Sequence, residues 1–227
     1  PAPERIFQTC GIGESDIVSL FEETGFPGEG LDVAYCAGPG RVEVRVTSRA
    51  EDAEAVDAAA GRLRDLLGDY VFAEGRVDIE DVVLRQLDRL GLSLATLEVG
   101  TNGLLTRRLS ESKVRHAGSY VGGMVIHRLD TLVGEFGVLP EELAEHGATG
   151  EVVAGRLAEA ARLRLGSDIG LCLAGPGEGG DVARAAVSDA TGIETGSLQL
   201  AWSRMLREYR VSQMALDRLR RRLGERV

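Results

Sequence analysis

The sequence LSLATLEVGTNGLLTRRL, residues Leu92–Leu109, carries the pattern that decides the fold of the chain. Its first part, Leu92–Leu97, is apolar and has the length of a buried strand. The glycines from Gly100 to Gly103 predict a turn, and a helix is predicted near Leu104–Leu109. This order of strand, turn and helix is typical of α/β proteins, whose ligands bind at the carboxyl ends of the strands.

Later segments continue the alternation of strands and helices. The pattern predicts strands at Ser119–His127, Asp168–Leu173, Ser197–Trp202 and Arg207–Val211, and helices at Glu151–Leu165 and Gln213–Leu223. A helix at Ile79–Leu90 precedes the quoted stretch. These elements predict a layered α/β domain with Gly-rich turns at the strand ends.

The first 75 residues have a different order, strand-helix-strand-strand-helix-strand. The predicted strands are Arg5–Cys10, Leu31–Cys36, Arg41–Ser48 and Asp69–Ala73, and the helices are Glu14–Glu23 and Glu51–Leu67, the second ending at Gly68. This order resembles the KH-like fold. We therefore predict an α/β protein with a small α+β (KH-like) domain at residues 1–75 and a C-terminal three-layer α/β/α domain at residues 76–227.

Composition excludes several classes of protein. The chain has 227 residues, 44% of them apolar, which is enough for a core, and a formal charge of −10, which argues against nucleic-acid and anionic-membrane partners. No apolar stretch reaches the ~18 residues of a membrane helix. The three cysteines lack CxxC spacing, which favours a reducing cytoplasm. The basic run that includes Arg218, Arg220–Arg222 and Arg226 is interpreted as a solvated helix end.

Specific strings resemble the CinA (competence/damage-inducible protein A) family. Gly11–Ser15 and Leu67–Val71 are similar to its middle domain. The signature of its C-terminal domain, ATAESCTGGLL, is similar to Ala95–Leu105, and further matching strings are Ala117–Val125, Phe136–Leu143, His146–Ala148 and Ala174–Gly177. The resemblance does not include the family's usual first domain, so the nucleotide-diphosphate hydrolysis linked to that domain is not expected of these residues.

The resemblance implies an activity for the C-terminal domain. In the family this domain is a nicotinamide-nucleotide amidase, which converts nicotinamide mononucleotide to nicotinate mononucleotide and ammonia with a serine, a tyrosine and a lysine. Here the serine position is Val99, the tyrosine position is His127 and the lysine position is Leu132. Valine has no lone pair to attack a carbonyl, so the covalent route of the family is closed at that position.

Three functions remain open at this point. The first is a catalytically silent CinA-like protein that binds a nucleotide or forms a dimer. The second is a nicotinamide mononucleotide amidase with a non-standard nucleophile, such as Thr101 or a water near His127. The third is a structural module that binds no ligand. Family members commonly form dimers, so the resemblance also implies a homodimer, with a pyridine nucleotide as the candidate ligand.

The residues that could bind such a ligand each have a structural alternative. The candidates are Glu98, Thr101, Gly103, Gly122, Gly123, His127, Gly175, Pro176 and Gly177. Glu98 could orient a ribose or pair within the turn, and Thr101 could bind a ligand or cap the following helix. The glycines permit close approach of a ligand or of another strand. Cys172 is expected in the core, and no residue set has metal-ligand spacing, so no metal or cofactor is predicted.

Overall fold

A computed structural model describes residues 2–112, 118–175, 180–199 and 204–224, without the side chains of residues 204 and 205. The chain divides into two compact units, Pro1–Val82 and Val83–Val227, which we call the N-terminal and C-terminal units. The division lies within helix α3, Ile79–Leu90. The boundary that we predict between residues 75 and 76 stays a prediction.

The N-terminal unit has the predicted order of elements. Its strands are β1 (Glu4–Cys10), β2 (Leu31–Gly38), β3 (Arg41–Ser48) and β4 (Val71–Glu74), and its helices are α1 (Glu14–Thr24) and α2 (Ala53–Leu67). The four strands form one antiparallel sheet in the order β2-β3-β1-β4. The strand β2 therefore lies at an edge of this sheet.

One apolar cluster joins the helices of the N-terminal unit to its sheet. The alternation of Val42, Val44 and Val46 places these three side chains on the same face of β3, where they are buried. Ile17 and Phe21 of α1 pack in the same cluster with four residues of α2, Ala59, Ala60, Leu63 and Leu67. Helix α2 ends at Gly68, as predicted, and the Gly68 N–H donates to the Arg64 carbonyl.

The C-terminal unit contains a five-stranded mixed sheet. Its strands are β5 (Leu94–Val99), β6 (Tyr120–Ile126), β7 (Ile169–Ala174), β8 (Val182–Asp189) and β9 (Gly192–Gln199). Its helices after α3 are α4 (Leu104–Glu111), α5 (Asp130–Phe136), α6 (Pro140–His146), α7 (Glu151–Leu165) and α8 (Arg204–Gly224). The strand order is β6-β5-β7-β8-β9; β5, β6 and β7 are parallel, whereas β8 and β9 continue the sheet antiparallel.

Helices cover both faces of this sheet, which gives the predicted layered domain. Helix α7 packs across one face with α5 and α6 beside it, and α4 and α8 pack on the other face. Side chains alternate along β5, so that Ala95, Leu97 and Val99 face the α7 layer, while Thr96 and Glu98 contact α4. No described helix is long and apolar enough to cross a membrane.

The strand predicted at Arg207–Val211 is wrong, because these residues are helical. They lie in the first two turns of α8, which buries Val211, Ala215 and Leu219 along one side. Packing on the sheet therefore overrides the local strand signal. The strand predicted at Ser197–Trp202 is present only as the end of β9, since residues 200–203 lie outside the described residues.

The solvated helix end predicted at the basic run is also wrong. Arg222 binds Asp189 at 2.7 Å and Glu194 at 3.1 Å, which ties the last turns of α8 to the β8–β9 hairpin. Arg220 and Arg221 both bind Asp217 within the helix. Burial disfavours the ionised carboxylate of Asp189, but hydrogen bonds from Arg222 and Thr191 outweigh it and hold the pKa of Asp189 well below its usual range.

Candidate functional site

The carboxyl ends of β5, β6 and β7 meet at one edge of the sheet, because these three strands are parallel neighbours. The turn Gly100–Gly103, which we call the β5–α4 turn, follows β5. His127 follows β6, and Gly175 follows β7. The structure therefore brings together the Gly-rich segments that the sequence predicts at the strand ends, although Pro176 and Gly177 lie outside the described residues.

The carboxylate of Glu98 caps the start of helix α4. Its Oε1 accepts the backbone N–H of Thr106 at 2.7 Å, and its Oε2 accepts the N–H of Leu105 at 3.2 Å. The Ncap residue, Gly103, has no side chain, so Glu98 supplies the oxygens that an N-cap side chain ordinarily provides. Of the two readings of Glu98, the structure supports pairing within the turn.

Thr101 supports the same carboxylate. Its hydroxyl donates to Glu98 Oε2 at 2.7 Å, and only 1% of the residue is exposed. The alternative in which Thr101 is the N-cap is wrong, since the helix begins one residue after Gly103. Thr101 is a buried partner of Glu98, and its hydroxyl does not face solvent.

The turn after β5 packs directly on the end of β7. The N–H of Gly175 donates to the carbonyl of Val99 at 2.7 Å. A Cβ at position 175 would lie 2.6 Å from the carbonyl oxygen of Gly100 and 2.9 Å from Cγ2 of Thr101. Gly175 is therefore a glycine because another segment of backbone approaches it, which is one of the two alternatives that the sequence left open.

A cluster of three hydroxyl groups lies beneath β6. Thr96 Oγ1 is 2.8 Å from the Tyr120 hydroxyl and 3.2 Å from Thr106 Oγ1. A Cβ at Gly123 would clash with all three groups, whereas nothing lies near the corresponding position of Gly122. Burial raises the pKa of Tyr120, and the nearby Glu98 carboxylate adds to this effect.

The three positions that the resemblance assigns to catalysis have different environments. Val99 is 3% exposed and Leu132 is fully buried, and both belong to the apolar cluster that packs between β5 and α7. His127 is exposed, one residue after the end of β6. The nucleophile and lysine positions are therefore part of the hydrophobic core.

Two features of this region have no clear signal in the sequence. Asn102 has a left-handed backbone, with φ of 55°, and its amide donates to Glu208 on α8 at 2.7 Å. Arg108 is 6% exposed, and it donates to Ser212 at 2.8 Å and to Gln213 at 2.7 Å. The contacts join residues more than 100 positions apart, so no local pattern predicts them.

The last predictions concern Cys172 and metal binding. Cys172 is fully buried, so its predicted place in the core is confirmed, and burial raises the pKa of its thiol far above the usual range. Among the described residues, no group of three or more His, Cys, Asp and Glu side chains is close enough to hold a metal ion.

Family models match both units of the chain. The model described as the damage-inducible protein CinA KH domain matches residues 4–73, and the model of the CinA C-terminal domain matches residues 76–223. A CinA-like protein of Gemmatimonas aurantiaca is 32% identical over 96% of this chain and 53% of its own length. A CinA-like protein of Akkermansia muciniphila is 33% identical over 94% of this chain and 49% of its own length. The chain thus spans about half the length of these relatives.

Solved structures resemble the same fold. A CinA superfamily protein from Klebsiella pneumoniae has a TM-score of 0.60 at 22% identity, with 65% of this chain and 96% of that chain covered. A competence or damage-inducible protein from Enterobacter asburiae has a TM-score of 0.59, also at 22% identity, with coverages of 65% and 99%. At this identity the likeness concerns the fold alone.

Proposed function

This chain belongs to the CinA family, and from that premise we propose that its C-terminal domain does not hydrolyse nicotinamide mononucleotide by the family's covalent route and acts instead as a binding or assembly protein. The burial of Val99 and Leu132 in one apolar cluster is the observation that carries the proposal. A serine and a lysine at these positions are polar groups that need hydrogen-bond partners, and the cluster offers them none among its members.

The chemistry of the reaction explains why these two positions matter. Amide hydrolysis by a covalent route requires a nucleophile with a lone pair and a base that takes its proton. The isopropyl group of Val99 and the isobutyl group of Leu132 can do neither. His127 keeps a titratable ring at the tyrosine position, but it has no nucleophile to activate at position 99.

The carboxylate of Glu98 also limits how a nucleotide could bind. Helix N-termini commonly bind phosphate through free N–H groups. At α4 the N–H groups of Leu105 and Thr106 already donate to Glu98, so a phosphate would have to compete with a buried carboxylate. A pyridine nucleotide, if it is the ligand, would contact exposed groups such as Asn102 and His127 instead.

Ammonia release from nicotinamide mononucleotide tests the loss of activity. The purified chain is compared with a CinA protein that keeps serine at the position equivalent to Val99. We expect ammonia only from that control. Turnover by this chain at a rate comparable to the control would overturn the proposal.

Binding and assembly are tested separately from catalysis. A ligand that binds the folded state raises the Tm by mass action. When the ligand concentration is 100 times the Kd, the folded state is stabilised by about 2.7 kcal/mol. If the role is binding, nicotinamide mononucleotide should raise the Tm. If the role is assembly, light scattering should give the mass of two chains. No Tm shift and a monomer mass together would leave the structural module as the better description.

The pair of Thr101 and Glu98 supports a second candidate function. A threonine hydroxyl that donates to a carboxylate at 2.7 Å could attack the amide carbonyl, with its proton passing through Glu98 to the nitrogen that leaves as ammonia. Water would then hydrolyse the ester on Thr101 and release nicotinate mononucleotide. This amidase would need the turn to open, because Thr101 is buried. Activity that is lost in Thr101→Val and kept in Thr101→Ser would establish it, and activity unchanged in both variants would exclude it.

A further inference from the structure

The N-terminal unit is strongly acidic, although the chain as a whole is less so. Residues 1–82 contain 18 Asp and Glu side chains against 7 arginines, a formal charge of −11, whereas residues 83–227 carry +1. The KH-like unit therefore carries a larger negative charge than the whole chain, since the C-terminal unit is slightly positive. Such a unit repels phosphate-rich partners and attracts basic ones.

The edge strand β2 is an open site for backbone pairing. Its eight residues pair only with β3, in continuous register, and no other described residue bonds to its backbone. The two-residue loop Pro39–Gly40 closes the hairpin, so that Gly38 and Arg41 form the first hydrogen-bonded pair. By alternation, Val33, Tyr35 and Ala37 direct their backbone N–H and C=O groups outward.

The side chains along β2 leave this edge accessible. Ala34, Cys36 and Ala37 are small and exposed, and the strand contains neither proline nor lysine, two residues that commonly protect sheet edges. The opposite edge of the same sheet, β4, has only four residues. Of the two edges in this unit, β2 is the one long enough to bind an added strand.

Helix α1 contacts β2 through Phe21 and Tyr35 and carries two exposed carboxylates. Glu14 and Glu22 are exposed and form no ion pair with any described residue. They lie on the same side of α1 as Val18, at intervals of four residues. Tyr35 packs against Phe21 of the same helix, with ring centroids 6.3 Å apart. Burial raises the pKa of Tyr35, and the negative charges of Glu14 and Glu22 raise it further.

We propose that β2 binds an extended segment of a basic partner protein, which adds as a fifth strand and places Lys or Arg side chains against Tyr35, Glu14 and Glu22. Main-chain hydrogen bonds to an edge strand supply affinity in this mode, and side chains at alternate positions supply specificity. A cation over Tyr35 gains a further attraction from the ring. A second copy of β2 fits less well, since it would bring a second N-terminal unit with a formal charge of −11 against the first.

The test measures binding of a labelled nine-residue peptide of alternating Arg and Val to the whole chain by fluorescence anisotropy at low salt. The variant Glu14→Gln with Glu22→Gln is compared with Glu141→Gln with Glu159→Gln, which removes the same charge from the C-terminal unit. We expect about tenfold weaker binding for the first variant and an unchanged Kd for the second. Equal Kd values for the two variants would overturn the proposal.

A second arm tests the backbone pairing. The same peptide with N-methyl groups on alternate residues keeps its charge but cannot donate to an edge strand, and we expect it to bind at least tenfold more weakly. The variant Ala37→Pro removes one outward N–H, a change that edge strands tolerate, and should weaken binding of the unmodified peptide. Equal binding of the N-methylated peptide, or comparable binding of a ten-nucleotide oligouridine, would contradict the proposed mode.

Discussion

The two faces of strand β5 have opposite characters, although their residues alternate along a single segment of six. Toward α4, Thr96 and Glu98 belong to a hydrogen-bonded network of hydroxyl, carboxylate and backbone N–H groups. Toward α7, Leu97 and Val99 belong to an apolar cluster. Glu98, which matches the family signature in the resemblance, lies on the polar face, and Val99, which departs from that signature, lies on the apolar face.

The two faces have different structural roles, since one holds the start of α4 and the other fills the core. Glu98 and Thr101 hold the start of α4, so their loss would leave buried donors without acceptors. Val99 makes no hydrogen bond through its side chain and fills space in the core. Glu98 on the polar face is thus required to hold the helix, whereas the side chain at position 99 serves the packing of the core.

The largest loss of stability is expected when the acceptor on the polar face is removed. We expect Glu98→Ala to lower the free energy of unfolding by about 3 kcal/mol or more, because it leaves two backbone N–H groups and the Thr101 hydroxyl unpaired. Urea denaturation measures the loss. Glu111→Ala, on the exposed end of the same helix, should cost less than about 0.5 kcal/mol. Equal losses in the two variants would mean that Glu98 is not a structural cap.

A hydroxyl placed on the apolar face tests the other half of the comparison. Val99→Thr keeps the shape of the side chain and adds a polar group to the core, so we expect a loss of about 1–2 kcal/mol. The measurement is again the urea midpoint at a constant m-value. If the variant is as stable as the parent, position 99 must reach water or a polar partner. A catalytic hydroxyl could then be accommodated there, which would contradict the proposed loss of the covalent route.

The reciprocal change on the polar face should have a smaller effect. Thr96→Val removes the hydroxyl that joins Thr106 and Tyr120, and we expect a loss of about 1 kcal/mol. Differential scanning calorimetry of Thr96→Val and Val99→Thr, side by side, would compare the faces directly. A stabilised Thr96→Val would show that the hydroxyl cluster is dispensable.

The pH dependence of stability gives the finest test. Folding raises the pKa of Tyr120, so its contribution to stability is fully present below pH of about 10 and is lost as the pH rises through the folded value. We therefore expect the free energy of unfolding to fall less steeply above pH 10 in Tyr120→Phe than in the parent. Tyr35 has a raised pKa in both proteins, so its effect cancels in the difference. Identical alkaline profiles would contradict the burial of the Tyr120 phenol.

Local patterns in the sequence predict much of this fold. The alternation of Val42, Val44 and Val46 predicts β3, and the spacing of Val56, Ala60 and Leu63 predicts α2. The Gly-rich turn after β5 predicts the edge of the sheet where the candidate site lies. In each case the signal and the structure lie within a few residues of each other.

Contacts between distant residues escape the same reasoning. Residues 207–211 have no strong helical signal, but packing on the sheet makes them part of α8. Arg222 finds Asp189 only after β8 and α8 are in place, 33 positions apart. The sequence likewise identifies Glu98 as a retained residue without revealing that its carboxylate turns back onto α4. Those side-chain directions depend on tertiary structure.

The cap formed by Glu98 bears on what the presence of this glutamate says about activity. A chain with this strand, turn and helix needs acceptors for the N–H groups of Leu105 and Thr106 whether or not it is an enzyme, so folding alone favours glutamate at position 98. A glutamate at this position is therefore a sign of the shared fold and is not by itself a sign of a shared activity. The side chain of Val99 has no comparable role in holding the helix, because it fills space in the apolar cluster.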